Sequence, residues 1–376
     1  MAVRKPAPPP AAPAEPKSEV QTFAIAMPGS MSEAAPQAAP KDNVRIGLLL
    51  PLRSESLGQA AASVRAGFMA AYERDKTGFT VTVIETGDPA QDVLSAYAAA
   101  QEQQDIIVGP LARSAVTAVA TSPLVNKPTI ALNHPEGRGD LRLPDQLLTI
   151  GLSIEAEARQ TADWAAQDHP NARALVISAG SSWQKRSASA FAVQWQRIGA
   201  PVRIMELSAS DGYLSDPELV ALRSKLQAEP ADVIFVALDV DQARQLRTAL
   251  SAPPLSDIPL YGSSSLNPGR SRWQPGPELD NVRLLDLPWQ VQRDHPAVMI
   301  YPQPEGASNA DMERLYALGI DAFRIAREIA LRPGRRFRLD GVTGQLTVDF
   351  GQGPSYFERI ELPAVYQNGV PSPLPK

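Results

Sequence analysis

The chain has 376 residues, enough for two domains, and a net charge of −5 with acids and bases interspersed. That balance argues against nucleic acid as a main partner, because phosphate binding needs a basic face. Cysteine is absent, so disulfides, thiolate metal sites and cysteine nucleophiles are excluded, and no apolar run approaches the ~18 residues of a membrane span.

Residues 1–42 read as a tail. Of the first 41 residues, 9 are Pro and 11 are Ala. Proline removes helical hydrogen bonds and favours extended chain, and few large apolar side chains are present to offset ordering entropy, so disorder is predicted. Such a segment is either a floppy terminus or a tether. It shows no apolar core of a signal peptide. An acyl anchor would need an N-terminal Cys that this sequence does not contain.

From Asn43 the pattern changes. Val44 to Leu50 is a buried-strand run, and Gly58 to Arg74 carries Ala60, Ala61, Val64, Phe68 and Ala71 at helical spacing. Thr80–Ile84 is a strand, and Pro89–Gln101 a helix expected to be opened by Asp88. Ile106–Val108 and Thr129–Leu132 are strands around a helix from Ser114 to Ala120. This alternation predicts parallel strands joined by right-handed helical crossovers.

The alternation then restarts. Helices are expected at Ile154–Ala166, Gln184–Ile198, Pro217–Ala228 and Val240–Leu250, with Phe191, Trp195 and Ile198 on one face of the second. Strands fall at Ala174–Ile177, Val202–Leu207, Val233–Val236 and Leu260–Tyr261. Further on, Leu284–Leu287 reads as a strand and Met312–Leu331 as a strongly amphipathic helix. Gly344–Phe350 and Ile360–Tyr366 read as strands. The fold class is therefore α/β, with two doubly wound parallel-sheet lobes around a cleft.

In doubly wound sheets ligands bind beyond the carboxyl ends of the strands. The loops there supply the cleft candidates Ser54, Asp88, Gly109, Ser114, Asn133, Ser181, Trp183, Asp239, Ser263 and Ser264. They are rich in hydroxyls and backbone amides and poor in ionisable groups, which suits holding a ligand better than transforming one. Ser114, near a helix N-terminus, either donates to a ligand carboxylate or caps its helix. Trp183 forms a ligand wall, packs between lobes or faces a partner.

Several stretches, in order along the chain, resemble one family. Asn43–Pro51, Gly109-Pro-Leu111 and Ile130–Asn133 resemble the first lobe of type I periplasmic binding proteins. Ser181-Ser-Trp183, Pro259–Ser264, Leu287-Pro-Trp289, Arg314–Phe323, Leu339–Leu346 and Glu361–Gly369 resemble the penicillin-binding protein activators, the LppC or LpoA lipoproteins. That resemblance implies a type I periplasmic binding fold whose chain crosses between lobes three times. Residues 43–153 with 289–332 would form one lobe, and 154–288 with 333–376 the other. It also implies a periplasmic, non-catalytic regulator, held at the outer membrane only through a lipid anchor missing from this sequence. Its partner would be a class A penicillin-binding protein, the bifunctional peptidoglycan synthase. No cofactor or metal is implied. The alternative is a receptor of the branched-chain amino acid type, with an unidentified small ligand in the cleft. Long family members carry an N-terminal domain of helical repeats, whose place here is taken by the Pro/Ala-rich tail.

Enzyme motifs are weak. Ser182-Trp-Gln-Lys185, Ser265-Leu-Asn267 and Lys76-Thr-Gly78 imitate the S-x-x-K, S-x-N and K-T-G of penicillin-recognising enzymes, but in the wrong order and outside their structural context. Only His134, His169 and His295 occur. His134 sits on a cleft loop without a second ligand at metal spacing, and His169 and His295 precede prolines and read as surface residues. The basic run Arg332–Arg338 reads as a solvated turn around Pro333-Gly334.

Overall fold

The computed structural model describes residues 43–137, 142–269, 276–304 and 309–374. The predicted tail lies outside the described residues.

The first sheet contains β1 (Val44–Leu50), β2 (Phe79–Glu85), β3 (Ile106–Val108), β4 (Thr129–Ala131) and β5 (Leu147–Thr149). All its pairings are parallel, in the order β2-β1-β3-β4-β5. Helices cover both faces, so β1 reads as a nearly continuous apolar run. Ile46, Leu48 and Leu50 enter one core with α1 (Gly58–Arg74), whereas Leu49 enters a smaller one with α2 (Ala90–Gln103) and α3 (Arg113–Thr121). That split follows from the two-residue period of a strand.

The second sheet repeats the same order. Strands β6 (Ala174–Ser178), β7 (Val202–Glu206), β10 (Val233–Ala237), β11 (Leu260–Gly262) and β12 (Arg283–Asp286) run parallel as β7-β6-β10-β11-β12. Helix α4 (Ile154–Asp168) precedes β6, and between the strands lie α5 (Ser182–Ile198), the small ribbon β8 (Ala209–Ser210) and β9 (Tyr213–Leu214), α6 (Asp216–Ala228) and α7 (Val240–Ala249). Two antiparallel strands, β16 (Leu362–Gln367) and β17 (Val370–Pro373), extend this sheet beyond β12, so it is mixed rather than wholly parallel.

After β12 come the short α8 (Pro288–Val291) and α9 (Pro296–Met299), then α10 (Ala310–Leu331). The long helix lies against α1 and the first core. The antiparallel sheet β13 (Phe337–Asp340), β14 (Gln345–Asp349) and β15 (Tyr356–Ile360) follows. The expected lobe limits kept 333–376 together in the second lobe. In the structure Phe337, Leu346, Val348 and Phe350 join the first core, and Tyr366 and Ala364 of β16 join the second.

Other expectations shift locally. Asp88 is exposed and does not cap α2, whose N-cap is Pro89. Asp92 instead accepts the Gly87 N–H at 2.6 Å. In α5, Phe191 and Trp195 are buried, but Ile198 at the last turn is 44% exposed. His169 is half-buried with its ring edge-on to Tyr261, and His295 is buried, its Nδ1 accepting the Ala297 N–H at 3.2 Å as the cap of α9.

Two glycines let α1 and α10 touch backbone to backbone. A Cβ on Gly67 would stand 1.8 Å from the Tyr316 carbonyl oxygen, and one on Gly319 would stand 2.1 Å from that of Val64. Phe323 then fits edge-on against Phe68, Tyr72 and Phe79, with ring centroids 5.4, 5.7 and 6.2 Å away. Gly319→Ala should force the helices apart and destabilise the fold by about 1–3 kcal/mol or more. Urea unfolding would show a lower midpoint at unchanged slope; an unaltered midpoint would mean that this contact does not set the helix spacing.

Candidate functional site

The chain passes between the two sheets at residues 150–154, 286–289 and 360–362. A polar network fills the space beside these passages. Arg314, in the second turn of α10, is almost fully buried. Its Nη2 donates to the Ser264 and Asn267 carbonyls at 2.9 and 3.0 Å and to Asp286 Oδ2 at 3.0 Å, while Nε donates to Asp286 Oδ1 at 3.2 Å. A planar guanidinium presents donors in a fixed fork that matches such a set of oxygens. Arg359 of β15 does the same for the first passage. It donates to the carbonyls of Ile150 and Gly151 at 2.8 and 2.9 Å and to Thr343 Oγ1 at 3.0 Å.

The network also holds acids. Glu157, in the first turn of α4, accepts from the Ser264 N–H and hydroxyl at 3.1 and 2.8 Å. Burial pushes its carboxyl up to about 7, with the charge of Asp286 adding to the shift and the Ser264 donors and Arg314 opposing it. Glu361 is buried as well, and its Oε2 has no hydrogen-bond partner. Burial and the neighbouring Glu157 raise it well above the ordinary carboxylate range, against the pull of Arg359.

Beside this network lies an inner cleft of about 600 Å³. Glu157, Trp183, Asp239, Ser264, Asn267 and Arg314 line it. An outer groove of about 1520 Å³ opens beyond it and shares Leu152, Ile154 and Trp183.

The structure therefore brings Trp183, Asp239 and Ser264 to the inner cleft, with Asn133 and Trp183 on the outer groove. Of the other sequence candidates, Ser54, Gly109, Ser181 and Ser263 have local structural roles, and Ser114 and Asp88 lie outside both cavities. Ser54 is buried and its Oγ accepts the Leu57 N–H at 2.9 Å at the start of α1. Gly109 has φ of +118° and packs on Leu49, where a Cβ would stand 2.0 Å from the carbonyl oxygen. Ser114 is exposed at the second position of α3, whose N-cap is Ala112, so neither the capping role nor a place in either cavity falls to it. Asp88 is exposed outside both cavities. Ser181 is the N-cap of α5, its hydroxyl donating to Gln184 Oε1 at 2.7 Å, and buried Ser263 pairs with Ser265 at 3.1 Å. Asp239 doubles as the cap of α7, accepting the N–H groups of Asp241 and Gln242 at 3.0 and 2.9 Å.

Glu157, Arg314, Arg359 and Glu361 were not anticipated. Arg314 and Glu361 carried a signal only as the first residues of two stretches of family resemblance, Arg314–Phe323 and Glu361–Gly369. The enzyme-like triplets do not assemble. Lys76 pairs with Glu73 at 2.9 Å in the turn that enters β2, at the amino end of the first sheet. Ser182 opens α5 at the carboxyl end of β6, and Lys185 pairs with Glu206 at 2.9 Å. Among the described residues no group of His, Cys, Asp and Glu is placed to hold a metal ion, and no helix is long and apolar enough to cross a membrane.

Residues 24–353 match the family model described as "LppC putative lipoprotein". The chain belongs to the LppC lipoprotein family. A relative from Mannheimia succiniciproducens, named penicillin-binding protein activator LpoA, is 29% identical over 312 residues, which cover 81% of this chain and 51% of the relative. One of the same name from Glaesserella parasuis is 28% identical, covering 80% and 50%. The chain thus spans about half the length of these curated relatives.

Among solved structures, one described as "a putative branched-chain amino acid ABC transporter" from Chromobacterium violaceum is 38% identical, with a TM-score of 0.68, covering 86% of this chain and all of that one. The C-domain of LpoA from Haemophilus influenzae, described as a regulator of PBP1A, is 23% identical with a TM-score of 0.69, covering 88% of this chain and 99% of that one. The fold is that of the type I periplasmic binding proteins. The LppC match ends at residue 353, and the two LpoA relatives cover about four-fifths of the chain.

The buried acid makes stability depend on pH. A carboxyl raised from 4.5 to about 7 keeps its proton in the folded state where the unfolded chain has lost it. Its contribution is complete below about pH 4.5 and is lost as pH rises through about 7. Thermal unfolding should therefore show stability falling across that window, and Glu157→Gln should flatten the fall and raise the melting temperature at pH 8. A slope unchanged in the variant would assign the pH dependence to other groups.

Proposed function

We propose that this chain is a non-catalytic regulator that binds a class A penicillin-binding protein and stimulates its synthesis of peptidoglycan. The observation that carries this reading is the match, over most of the chain, to relatives named penicillin-binding protein activator. The cleft chemistry supports it. Ser264 donates to Glu157 through both its hydroxyl and its N–H, which ties the loop after β11 to α4, and Ser265 Oγ donates to the Leu238 carbonyl at 2.8 Å. Arg314 and Asp239 likewise direct their polar atoms at the protein itself, as parts of a scaffold.

In this reading the protein works in the periplasm, tethered to the outer membrane by a lipid on a longer precursor. Its lobes are the two sheets with their helices. The segment 289–360 belongs with the first lobe, and β16 and β17 with the second. A second reading, a receptor for a small ligand, is favoured by the inner cleft and by the likeness to a chain described as an amino acid transporter component. A ligand that binds only the folded state would raise the melting temperature, which separates the two.

The deciding experiment is glycan-strand synthesis and cross-linking by a purified class A penicillin-binding protein from the same cell, with and without this chain. Stimulation several-fold above the synthase alone is expected. No stimulation and no capture in a pull-down would remove the activator reading.

A further inference from the structure

The outer groove is cationic in a protein that is acidic overall. Its lining contributes Arg113, Arg159, Lys185, Arg186 and Arg197, against the carboxylates of Glu136 and Glu155. The cations come from both halves of the molecule: Arg113 from α3, and the others from α4 and α5. Glu155 is already engaged by Arg186 at 2.8 Å, and Lys185 is held by Glu206. Arg159 and Arg197 are exposed and form no ion pair among the described residues. Arg113 reaches the Pro135 carbonyl at 3.3 Å through Nη2, while its enclosed Nε has no acceptor. His134, also in the lining, adds no charge at neutral pH: burial lowers its pKa, and Arg359 and Arg113 push it the same way.

The groove is also partly apolar. Trp183 is half-buried on its wall, and Val193 is 45% exposed beside Ala190 on α5. At about 1520 Å³ it exceeds the roughly 300–1,000 Å³ of small-molecule sites. An occupant of matching size is extended, carries several negative charges and offers apolar side chains. A polypeptide that interleaves Asp and Glu with apolar residues has all three properties, whereas a bare sugar strand lacks the apolar ones.

We propose that this groove is a docking surface for an acidic, extended polypeptide segment of the partner synthase, distinct from the inner cleft. The assignment of the partner rests on the activator reading above. The cations on both rims would raise the rate of encounter and make binding sensitive to salt. Arg159 and Arg197 are the informative positions, because no partner in the fold depends on them.

The test uses the full chain, a purified class A penicillin-binding protein from the same cell, a labelled peptide of alternating glutamate and leucine, and soluble glycan strands. Arg159→Glu combined with Arg197→Glu should weaken binding to the synthase about tenfold or more and flatten its salt dependence. It should weaken the peptide likewise. Arg65→Glu, a single Arg-to-Glu change at an exposed site on α1, should bind as the parent does. Unchanged affinity in the double variant overturns the proposal, as does groove-dependent binding of glycan strands without the peptide. A parent that binds the peptide through these arginines but not the synthase removes the activator reading and this partner, while leaving an anion-binding groove. A parent that binds neither removes both.

Discussion

The ion pair between Arg314 and Asp286 joins the two halves of this protein. Asp286 ends a strand of the second sheet, and Arg314 belongs to a helix packed on the first core. Neither side chain reaches solvent appreciably. A buried charge without a partner costs several kcal/mol, so each enforces the position of the other. The same guanidinium holds the Ser264 and Asn267 carbonyls, which fixes the loop that follows β11. Arg359 plays the corresponding part at the first chain passage, through the carbonyls of Ile150 and Gly151. The connection between the lobes is thereby built from fixed hydrogen bonds, and its polar atoms are largely consumed internally.

This architecture explains why the acids beside the passages behave unlike surface carboxylates. Glu157 and Glu361 lie in one buried cluster with two guanidiniums, and the low polarity around them opposes the ionisation of both. Around the cluster the two sheets are built alike. Each places its first strand next to the centre and reverses strand order there, so the loops at the carboxyl ends open toward a common cleft. The inner cleft is thus a consequence of the fold itself, and the LppC match includes the residues that line it. The outer groove differs in kind, since Arg159, Lys185, Arg186 and Arg197 are exposed on α4 and α5 and only Arg113 is half-buried.

Sequence by itself determined the parallel, doubly wound elements of this protein. The β1 run, the helix at Gly58–Arg74 and the strands at Ala174 and Val233 are readable because burial of a central strand demands continuous apolar residues and a covering helix demands a 3.6-residue period. Two strands are not legible in this way: in antiparallel Tyr356–Ile360 the adjacent Glu358 and Arg359 break the apolar pattern, and parallel Leu147–Thr149 has only three residues. Trp183, Asp239 and Ser264 could be placed at the cleft because strand ends are predictable from the topology. Tertiary structure alone decided the rest. Arg314, Arg359, Glu157 and Glu361 come from segments far apart in the chain, and their meeting depends on where the three passages lie. A helix period says which face is buried, but it does not say what charge waits on the other side.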